Sequence, residues 1–189
     1  VGTLKVLEHA RKTGAKVIFS SSSSVHEPTS PYAIQKKICE DYMEFYWTLG
    51  VKSVALRYFN VFGERQEIAN GGNALVLARF LDQKKKDEPF TIYGTGEQRR
   101  DFVYVGDVVE ANRKAAEFLE TAKKFYTIDI GTGTNYSVNE VADMIDKDHP
   151  RINLPPRIEP FENRAERWEA KLLLSWEPKV TLPTWLASL

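Results

Sequence analysis

The stretch Lys16-Val17-Ile18-Phe19-Ser20, which runs directly into Ser21-Ser22-Ser23-Ser24, decides the fold class. A short apolar run rich in β-branched residues is typical of a buried parallel strand. A helix is predicted next, from Pro31 to Leu49, with proline in its first turn, and Val51 to Phe59 is predicted as the following strand. Strands that alternate with helices indicate an α/β protein with a mainly parallel sheet.

The remaining predicted elements extend this pattern in both directions. Residues 1–13 are predicted to form a helix that ends at Gly14, and because the chain starts inside this helix we expect it to be a piece of a longer protein. Ser137 and Glu140 predict a capping box at the start of another helix, whereas residues 148–160 are expected to be irregular. The other predicted elements are a loop from Gly63 to Asn73, helices from Ala74 to Lys86 and from Asp107 to Glu120, and strands over residues 90–93, 101–105 and 125–130.

Composition argues against several classes of function. The 189 residues carry 26 basic and 26 acidic side chains, a balance that does not suit a nucleic-acid-binding surface. A single cysteine, Cys39, cannot form an internal disulfide, and no apolar run approaches the roughly 20 residues that cross a bilayer. His9, His26 and His149 lack the spacing of metal ligands, so no metal is expected. We therefore expect a cytoplasmic protein with no membrane or nucleic-acid partner.

Candidate catalytic side chains follow the first strand and open the next helix. Tyr32 and Lys36 are four residues apart and therefore share one helix face. A phenol has an ordinary pKa near 10, and a neighbouring ammonium favours its ionised form, which would let it exchange protons at neutral pH. Serine hydroxyls at the carboxyl end of a strand are placed to bind a substrate oxygen. Taken alone, this pattern fits an ordinary surface pair and a polar loop better than a catalytic site.

Longer motifs add a resemblance to a known family. The segments that carry it, in chain order, are Phe19–Val25, Ser30–Lys36, Leu56–Gly63, Ile92–Val105, Ile130–Gly133, Ser137–Glu140 and Leu174–Pro178. Together they resemble the extended short-chain dehydrogenases/reductases, and within them the NAD-dependent nucleotide-sugar epimerases and dehydratases, most closely the UDP-glucose 4-epimerase type. The resemblance implies a partial Rossmann-like domain, with a doubly wound parallel sheet, in residues 1–62. A smaller α/β substrate-binding lobe would occupy residues 63–189, with the chain returning to the first sheet around residues 101–130.

The resemblance also implies a role for each matched residue. Tyr32 would be the catalytic acid/base, Ser22 would steady the sugar oxygen, and Lys36 would bind the nicotinamide ribose and lower the pKa of the phenol. NAD would be the cofactor and a UDP-sugar the substrate. The further cofactor contacts implied are Ser20, Ser21, Tyr58 and Phe59, and the further substrate contacts implied are Asn60, Tyr93, Arg100 and Arg157. Tyr58, Phe59 and Tyr93 would fit equally well as core aromatic residues.

The sequence departs from the family in several places. No glycine-rich phosphate-binding turn is present, because Gly94-Thr95-Gly96 and Gly131-Thr132-Gly133 are only pairs of glycines. The family places that turn upstream of the segment seen here, so we expect the chain by itself not to catalyse epimerisation. The loop between Val25 and Pro31 is shorter than in the family, where it helps to close the sugar site. Glu166 and Ser175 stand where the family has Asp and Gly.

The serine run bears on the reaction type. Ser22-Ser23-Ser24 occupies the positions at which the family's dehydratases carry a pair of carboxyl groups, which favours epimerisation through transient oxidation at C4 over elimination. Two alternatives stay open: another dehydratase, reductase or decarboxylase of the same superfamily, and a non-catalytic nucleotide-sugar-binding fragment. The helices predicted over residues 1–13 and 31–49 correspond to a surface through which the family often dimerises, so a homodimer is a further possibility.

Overall fold

The structure, a computed structural model, describes residues 2–66 and 75–189. Its strands are β1 (Val17–Ser22), β2 (Ser53–Tyr58), β3 (Asn60–Phe62), β4 (Phe90–Tyr93), β5 (Arg99–Tyr104), β6 (Tyr126–Ile130), β7 (Asn135–Ser137) and β8 (Arg151–Leu154). Its helices are α1 (Gly2–Thr13), α2 (Pro31–Thr48), α3 (Val76–Lys85), α4 (Val105–Thr121), α5 (Val138–Asp146), α6 (Trp168–Leu174) and α7 (Leu182–Leu186), with a 3-10 turn at Ser23–Val25. The predicted α/β class is confirmed.

Three parallel strands, in the order β1–β2–β6, form the first sheet. Because alternate residues of a strand point to opposite faces, Val54 and Leu56 of β2 join one core with side chains of β6, α4 and α6. On the other face, Leu7 of α1 and Met43 of α2 pack together with Phe19 of β1. The sheet is thus covered by helices on both sides, and the carboxyl ends of its strands lie at one edge, where α/β folds bind their ligands.

The chain passes from the first sheet to the second through one residue, Phe59, which separates β2 from β3. In the second sheet β5 pairs with β3 in parallel and with β7 in antiparallel orientation, and a third sheet holds β4 parallel to β8. A separate core of buried aromatic and aliphatic side chains joins these strands to α3, α5 and α7. Phe62, Phe80, Phe90, Phe102 and Trp185 are its largest members.

One expectation about the later part of the chain needs correction. Residues 148–160 are not wholly irregular, because β8 lies within them and pairs with β4, with Phe90 opposite Arg151. Within residues 101–130, β6 pairs with β2 in the first sheet, and β5 belongs to the second sheet. Val1, most of the loop predicted over residues 63–73 and the helix start predicted at Ala74 lie outside the described residues.

Serine side chains cap the N-termini of α2 and α5. The Ser30 hydroxyl accepts a hydrogen bond from the Ala33 amide at 3.2 Å and so starts α2. Ser137 and Glu140 form the predicted capping box at the start of α5. At the end of α6, Ser175 takes a left-handed conformation with a φ of 49°, at the position where a glycine was noted as usual.

Candidate active site

The carboxyl ends of β1 and β2 open onto a cavity of about 830 Å³. The predicted site residues that line it are Ser21, Ser22, Tyr32, Tyr58, Phe59, Asn60 and Arg100. A smaller cavity of about 170 Å³ holds Tyr93 and Arg157 and shares Asn60 and Arg100 with the first. The structure therefore gathers the predicted sugar and nucleotide contacts into two adjoining spaces.

Tyr32 and Lys36 stand one helical turn apart at the start of α2. The ring of Tyr32 is 54% exposed and faces the larger cavity. The Lys36 Nζ lies 5.7 Å from the centre of that ring and 4.8 Å from the centre of the Phe19 ring. It also donates a 2.6 Å hydrogen bond to the backbone oxygen of Ser20. This bond ties the ammonium to the end of β1, beside the phenol.

The hydroxyls of Ser20 and Ser22, near the end of β1, differ in their hydrogen bonds. Ser22 Oγ accepts hydrogen bonds from the hydroxyl and the amide of Ser24, at 2.9 and 3.3 Å. Because it acts only as an acceptor in these bonds, its own proton remains available as a donor towards the cavity. Ser20 Oγ donates to the Tyr58 hydroxyl at 3.3 Å, and Tyr58 donates in turn to Asn112 at 2.9 Å.

Ser21 belongs to a buried ion-pair network that the sequence analysis missed. Its hydroxyl is almost fully buried and donates to Glu40 Oε1 at 2.6 Å. Arg57 donates two further bonds to the same carboxylate, at 2.9 and 2.7 Å, and this raises the pKa of the guanidinium. Ser21 and Arg57 are opposite residues in the β1–β2 register, and Glu40 is one turn after Lys36. The strand register and the helix spacing together could have predicted this contact from the sequence.

The link between the two sheets carries Phe59 and Asn60. Phe59 is 5% exposed and its amide donates to the Ile130 oxygen, which fixes the link to β6. The Asn60 side-chain amide donates to the backbone oxygen of Asp101 at 2.8 Å. Asn60 thus holds β3 and β5 together as well as lining both cavities.

The carboxyl group of Asp101 lies behind this link and was not singled out from the sequence. It is fully buried, and burial raises its pKa. Hydrogen bonds from Thr132, Gly133 and Ala165 oppose that rise. Asp101 therefore anchors the turn after β6 and the segment before α6 to β5.

The predicted nucleotide contacts are already engaged within the protein. Arg100 donates to Glu159 Oε2 at 2.5 Å and to the backbone oxygens of Arg99 and Phe161. The guanidinium carbon of Arg157 lies 3.4 Å from the centre of the Tyr93 ring. Such stacking of a cation on an aromatic face is favourable. Tyr93 and Arg157 are therefore together, as the sequence suggested, but directly on one another.

His26 and Asp129 add a pair of titratable groups to the wall of the larger cavity. The His26 Nε2 lies 3.0 and 3.2 Å from the two oxygens of Asp129, which also accepts the Glu166 amide. His26 was excluded as a metal ligand by its spacing, and the sequence motifs predicted no carboxylate partner for it. This pair could not be read from the sequence because His26 and Asp129 are 103 residues apart.

Comparison with known proteins shows the family of the chain. Residues 1–131 match the NAD dependent epimerase/dehydratase family. The chain belongs to this family. A Thermotoga maritima UDP-glucose 4-epimerase, solved with UDP-glucose, superposes with a TM-score of 0.88 at 36% identity, over 98% of this chain and 65% of that one. A Methanocaldococcus jannaschii protein provisionally named a UDP-glucose 4-epimerase is 36% identical, over 96% of this chain and 64% of its own length.

The epimerase/dehydratase family also contains enzymes with other reactions. An Arabidopsis thaliana UDP-glucuronic acid decarboxylase is 28% identical to the chain, over 96% of this chain and 45% of its own length. The chain thus spans between about half and two thirds of the curated relatives that it matches. The predicted resemblance to extended short-chain dehydrogenases/reductases is confirmed.

The residues present fit one end of the family's cofactor. Hydrogen bonds join Lys36 to the Ser20 backbone oxygen and the Ser20 hydroxyl to Tyr58, which lines the large cavity, and these are the polar groups that would hold a nicotinamide ribose. The two glycine pairs do not offer a phosphate cradle, since their space is already filled by the chain itself. A Cβ at Gly96 would overlap the Asn139 side chain, and one at Gly133 would overlap that of Arg167.

In the part of the chain that the structure describes, no group of three or more His, Cys, Asp or Glu side chains is arranged to hold a metal ion. Within the same residues, no helix is long and apolar enough to cross a membrane.

Proposed function

We propose that the chain carries the catalytic and nucleotide-sugar-binding part of an NAD-dependent UDP-sugar 4-epimerase. The observation that carries the proposal is the placement of Tyr32 in the wall of the large cavity, with Lys36 one helical turn away and bonded to the backbone oxygen of Ser20 in β1. The similarity to a UDP-glucose 4-epimerase over nearly the whole chain supports it.

In the proposed reaction Tyr32 moves the proton of the sugar's C4 hydroxyl. As the phenolate it takes this proton while the hydride leaves C4, which turns the alcohol into a ketone. Bound NAD would accept that hydride and return it to the other face of C4 after the sugar has turned. Tyr32 then gives the proton back to the oxygen, so protons and electrons balance over one cycle. Ser22 donates to the C4 oxygen throughout, and the Lys36 ammonium stays one helical turn from the phenol, held by the Ser20 backbone oxygen.

The nucleotide half of the substrate would occupy the smaller cavity. Tyr93 offers an aromatic face to a uracil ring, and Arg100 and Arg157 offer guanidinium groups to a diphosphate, which such groups bind with short charge-assisted bonds. Asn60 lies between the two cavities and would contact the substrate where they meet.

A UDP-uronic acid decarboxylase is the second candidate, because one relative carries that name. It would begin with the same oxidation at C4, in which Tyr32 takes the proton and NAD would take the hydride, and the sugar would then lose carbon dioxide. A non-catalytic UDP-sugar-binding fragment is the third. Product analysis separates the three candidates. An epimerase changes the sugar and keeps all its carbon atoms, a decarboxylase removes one carbon atom, and a binding fragment leaves the sugar unchanged.

The test measures products by NMR for the chain alone and for the chain joined to the part of the Thermotoga maritima relative that it does not cover, each with NAD and either UDP-glucose or UDP-glucuronic acid. The proposal predicts a 4-epimer, formed by the joined protein and lost when Tyr32→Phe is introduced. A pentose product would favour the decarboxylase. Unchanged sugars in the presence of tight UDP-sugar binding would favour the non-catalytic fragment.

We further propose that two copies of the chain form a homodimer and that the protein is located in the cytoplasm. Helix α2 exposes a row of apolar side chains at spacings of three and four residues, which places them on one face. These side chains are Ile34, Ile38, Tyr42, Phe45 and Leu49. Such a face is of the kind that a second copy of the chain would cover.

A further inference from the structure

Residues 155–160 contain one predicted nucleotide contact, Arg157, and cover the other two, Tyr93 and Arg100, with their own side chains. Arg157 stacks on Tyr93, and Glu159 forms an ion pair with Arg100. Both contacts lie in the smaller cavity, and Glu159 and Arg100 also line the larger one. The same short segment thus occupies the aromatic face and the guanidinium group on which a nucleoside diphosphate would bind.

Glu159 resembles a phosphate in what it offers to Arg100. Its carboxylate Oε2 accepts a bond of 2.5 Å from the guanidinium, and its Oε1 lies 3.4 Å from the Gln98 amide nitrogen. The side chain of Arg100 is only 12% exposed, so this charge pair is weakly screened by water. A diphosphate that binds Arg100 must either replace this carboxylate or lie beside it against like-charge repulsion.

Residues 155–160 are flanked by backbone hydrogen bonds at both ends but form none themselves with the rest of the described chain. Leu154 accepts the Gly94 amide and Phe161 accepts the Arg99 amide, which fixes both ends to β4 and β5. Between them, no backbone hydrogen bond joins residues 155–160 to the rest of the described chain. The three prolines of the segment have no amide proton to donate, and Ile158 is 95% exposed. The contacts that hold its middle are therefore those of Arg157 and Glu159.

We propose that residues 155–160 form a strap that the ligand displaces, in which Glu159 is the chain's own substitute for the diphosphate on Arg100. This inference rests on the proposed function and adds an affinity-determining residue to it. Ligands with a diphosphate can release the strap by replacing the carboxylate. A nucleoside without phosphate cannot, so the strap makes binding selective for the charged end of the ligand.

The experiment measures UDP and uridine affinity by titration calorimetry for the parent chain, Glu159→Gln and a matched control, Glu27→Gln, which removes the same charge from another part of the cavity wall. Glu159→Gln is expected to bind UDP about tenfold more tightly, as the loss of one charge-assisted bond implies. Uridine affinity should stay within about twofold, as should UDP affinity for Glu27→Gln. In an Arg100→Ala background the gain from Glu159→Gln should vanish, because the two residues act as a pair.

The outcomes separate the strap from the proposed function. Equal UDP affinity in the parent and Glu159→Gln would overturn the strap and leave the nucleotide site in place. An equal gain for uridine, an equal gain for Glu27→Gln, or a gain that survives Arg100→Ala would also overturn it. If neither the parent nor Glu159→Gln binds UDP, the strap and the proposed function fail together.

Discussion

Lys36 holds its position beside Tyr32 through one backbone carbonyl. Its ammonium bonds to the Ser20 oxygen at the end of β1, and Ser30 fixes the first turn of α2 that carries Tyr32. The position of the phenol thus depends on the start of α2, and the position of the ammonium depends on the contact of α2 with β1. The placement of Tyr32 and Lys36 on one helix face could be predicted from the sequence, because their spacing and flanking motif are local.

Other site residues could not be assigned fully from the sequence, because their hydrogen bonds join distant segments. The hydroxyl of Ser21 is directed to Glu40, and the amide of Asn60 to Asp101, 41 residues away. Sequence spacing gives the face on which a side chain lies but not the partner that the fold brings to it. The role of Ser21 as a cofactor contact stays a prediction, now with a structural role beside it.

Ser175 carries a local conformational cost that a single substitution should relieve. Its φ of 49° is left-handed, a region that residues with a Cβ avoid and glycine adopts readily. Ser175→Gly should therefore stabilise the protein by about 1 kcal/mol in urea unfolding. Asp87→Gly is the comparison, since Asp87 also has a positive φ of 58° but aspartate tolerates that region better, so its gain should be smaller. A loss of stability in Ser175→Gly would contradict this account.

At the scale of elements, the buried Glu40–Arg57 pair fastens α2 to β2. Glu40→Gln should lower the free energy of unfolding by about 3 kcal/mol, because it leaves the Arg57 charge without its carboxylate. Asp41→Asn on the same helix is the control. It removes the exposed Lys37–Asp41 pair and should cost at most about 0.5 kcal/mol. Urea unfolding of both variants checks the difference, and equal losses would show that the buried pair is not what holds the helix.

Glu64 links the loop after β3 to α7 and β5. Its own backbone amide, the Trp185 indole and the Tyr104 hydroxyl donate to it, which holds its pKa below the usual 4.5. Because the folded protein favours the ionised form, the stability from Glu64 is present above about pH 4.5 and is lost as the pH falls through the lowered folded pKa.

Urea unfolding of the parent and Glu64→Gln between pH 7 and pH 3 tests this linkage. The difference in stability should be full near neutral pH and should shrink as the pH falls below 4.5. A gap between the parent and Glu64→Gln that stays constant with pH would contradict the assigned hydrogen bonds.

The strands and helices were predictable where their sequence pattern is long and regular, and not where it is short. The apolar run of β1 and the proline-started α2 both lie where expected. In contrast, β8 has only four residues, and none of them is fully buried. It forms because β4 offers a partner edge. Tertiary pairing of this kind leaves no periodic signal in the strand itself.

At the scale of the whole molecule, the apolar face of α2 predicts how copies of the chain associate. The parent should sediment with a mass near twice 21.6 kDa, and replacing both Ile38 and Phe45 with aspartate should shift it to the monomer. Val109→Asp is the control, since Val109 is equally apolar and 64% exposed but lies on α4, across the sheet. A monomeric parent, or an equal shift with Val109→Asp, would contradict the proposed homodimer.

The central claim is that Tyr32 and the large cavity support transient oxidation of a UDP-sugar at C4 by a hydride that never leaves the site. The most direct measurement follows deuterium from UDP-[4-²H]glucose, converted by the chain joined to the part of the Thermotoga maritima relative that it does not cover, in the presence of unlabelled NADH. The account predicts UDP-galactose that keeps its deuterium at C4 and no product with Tyr32→Phe. Product that has lost the label to the free cofactor, or undiminished turnover in Tyr32→Phe, would contradict it.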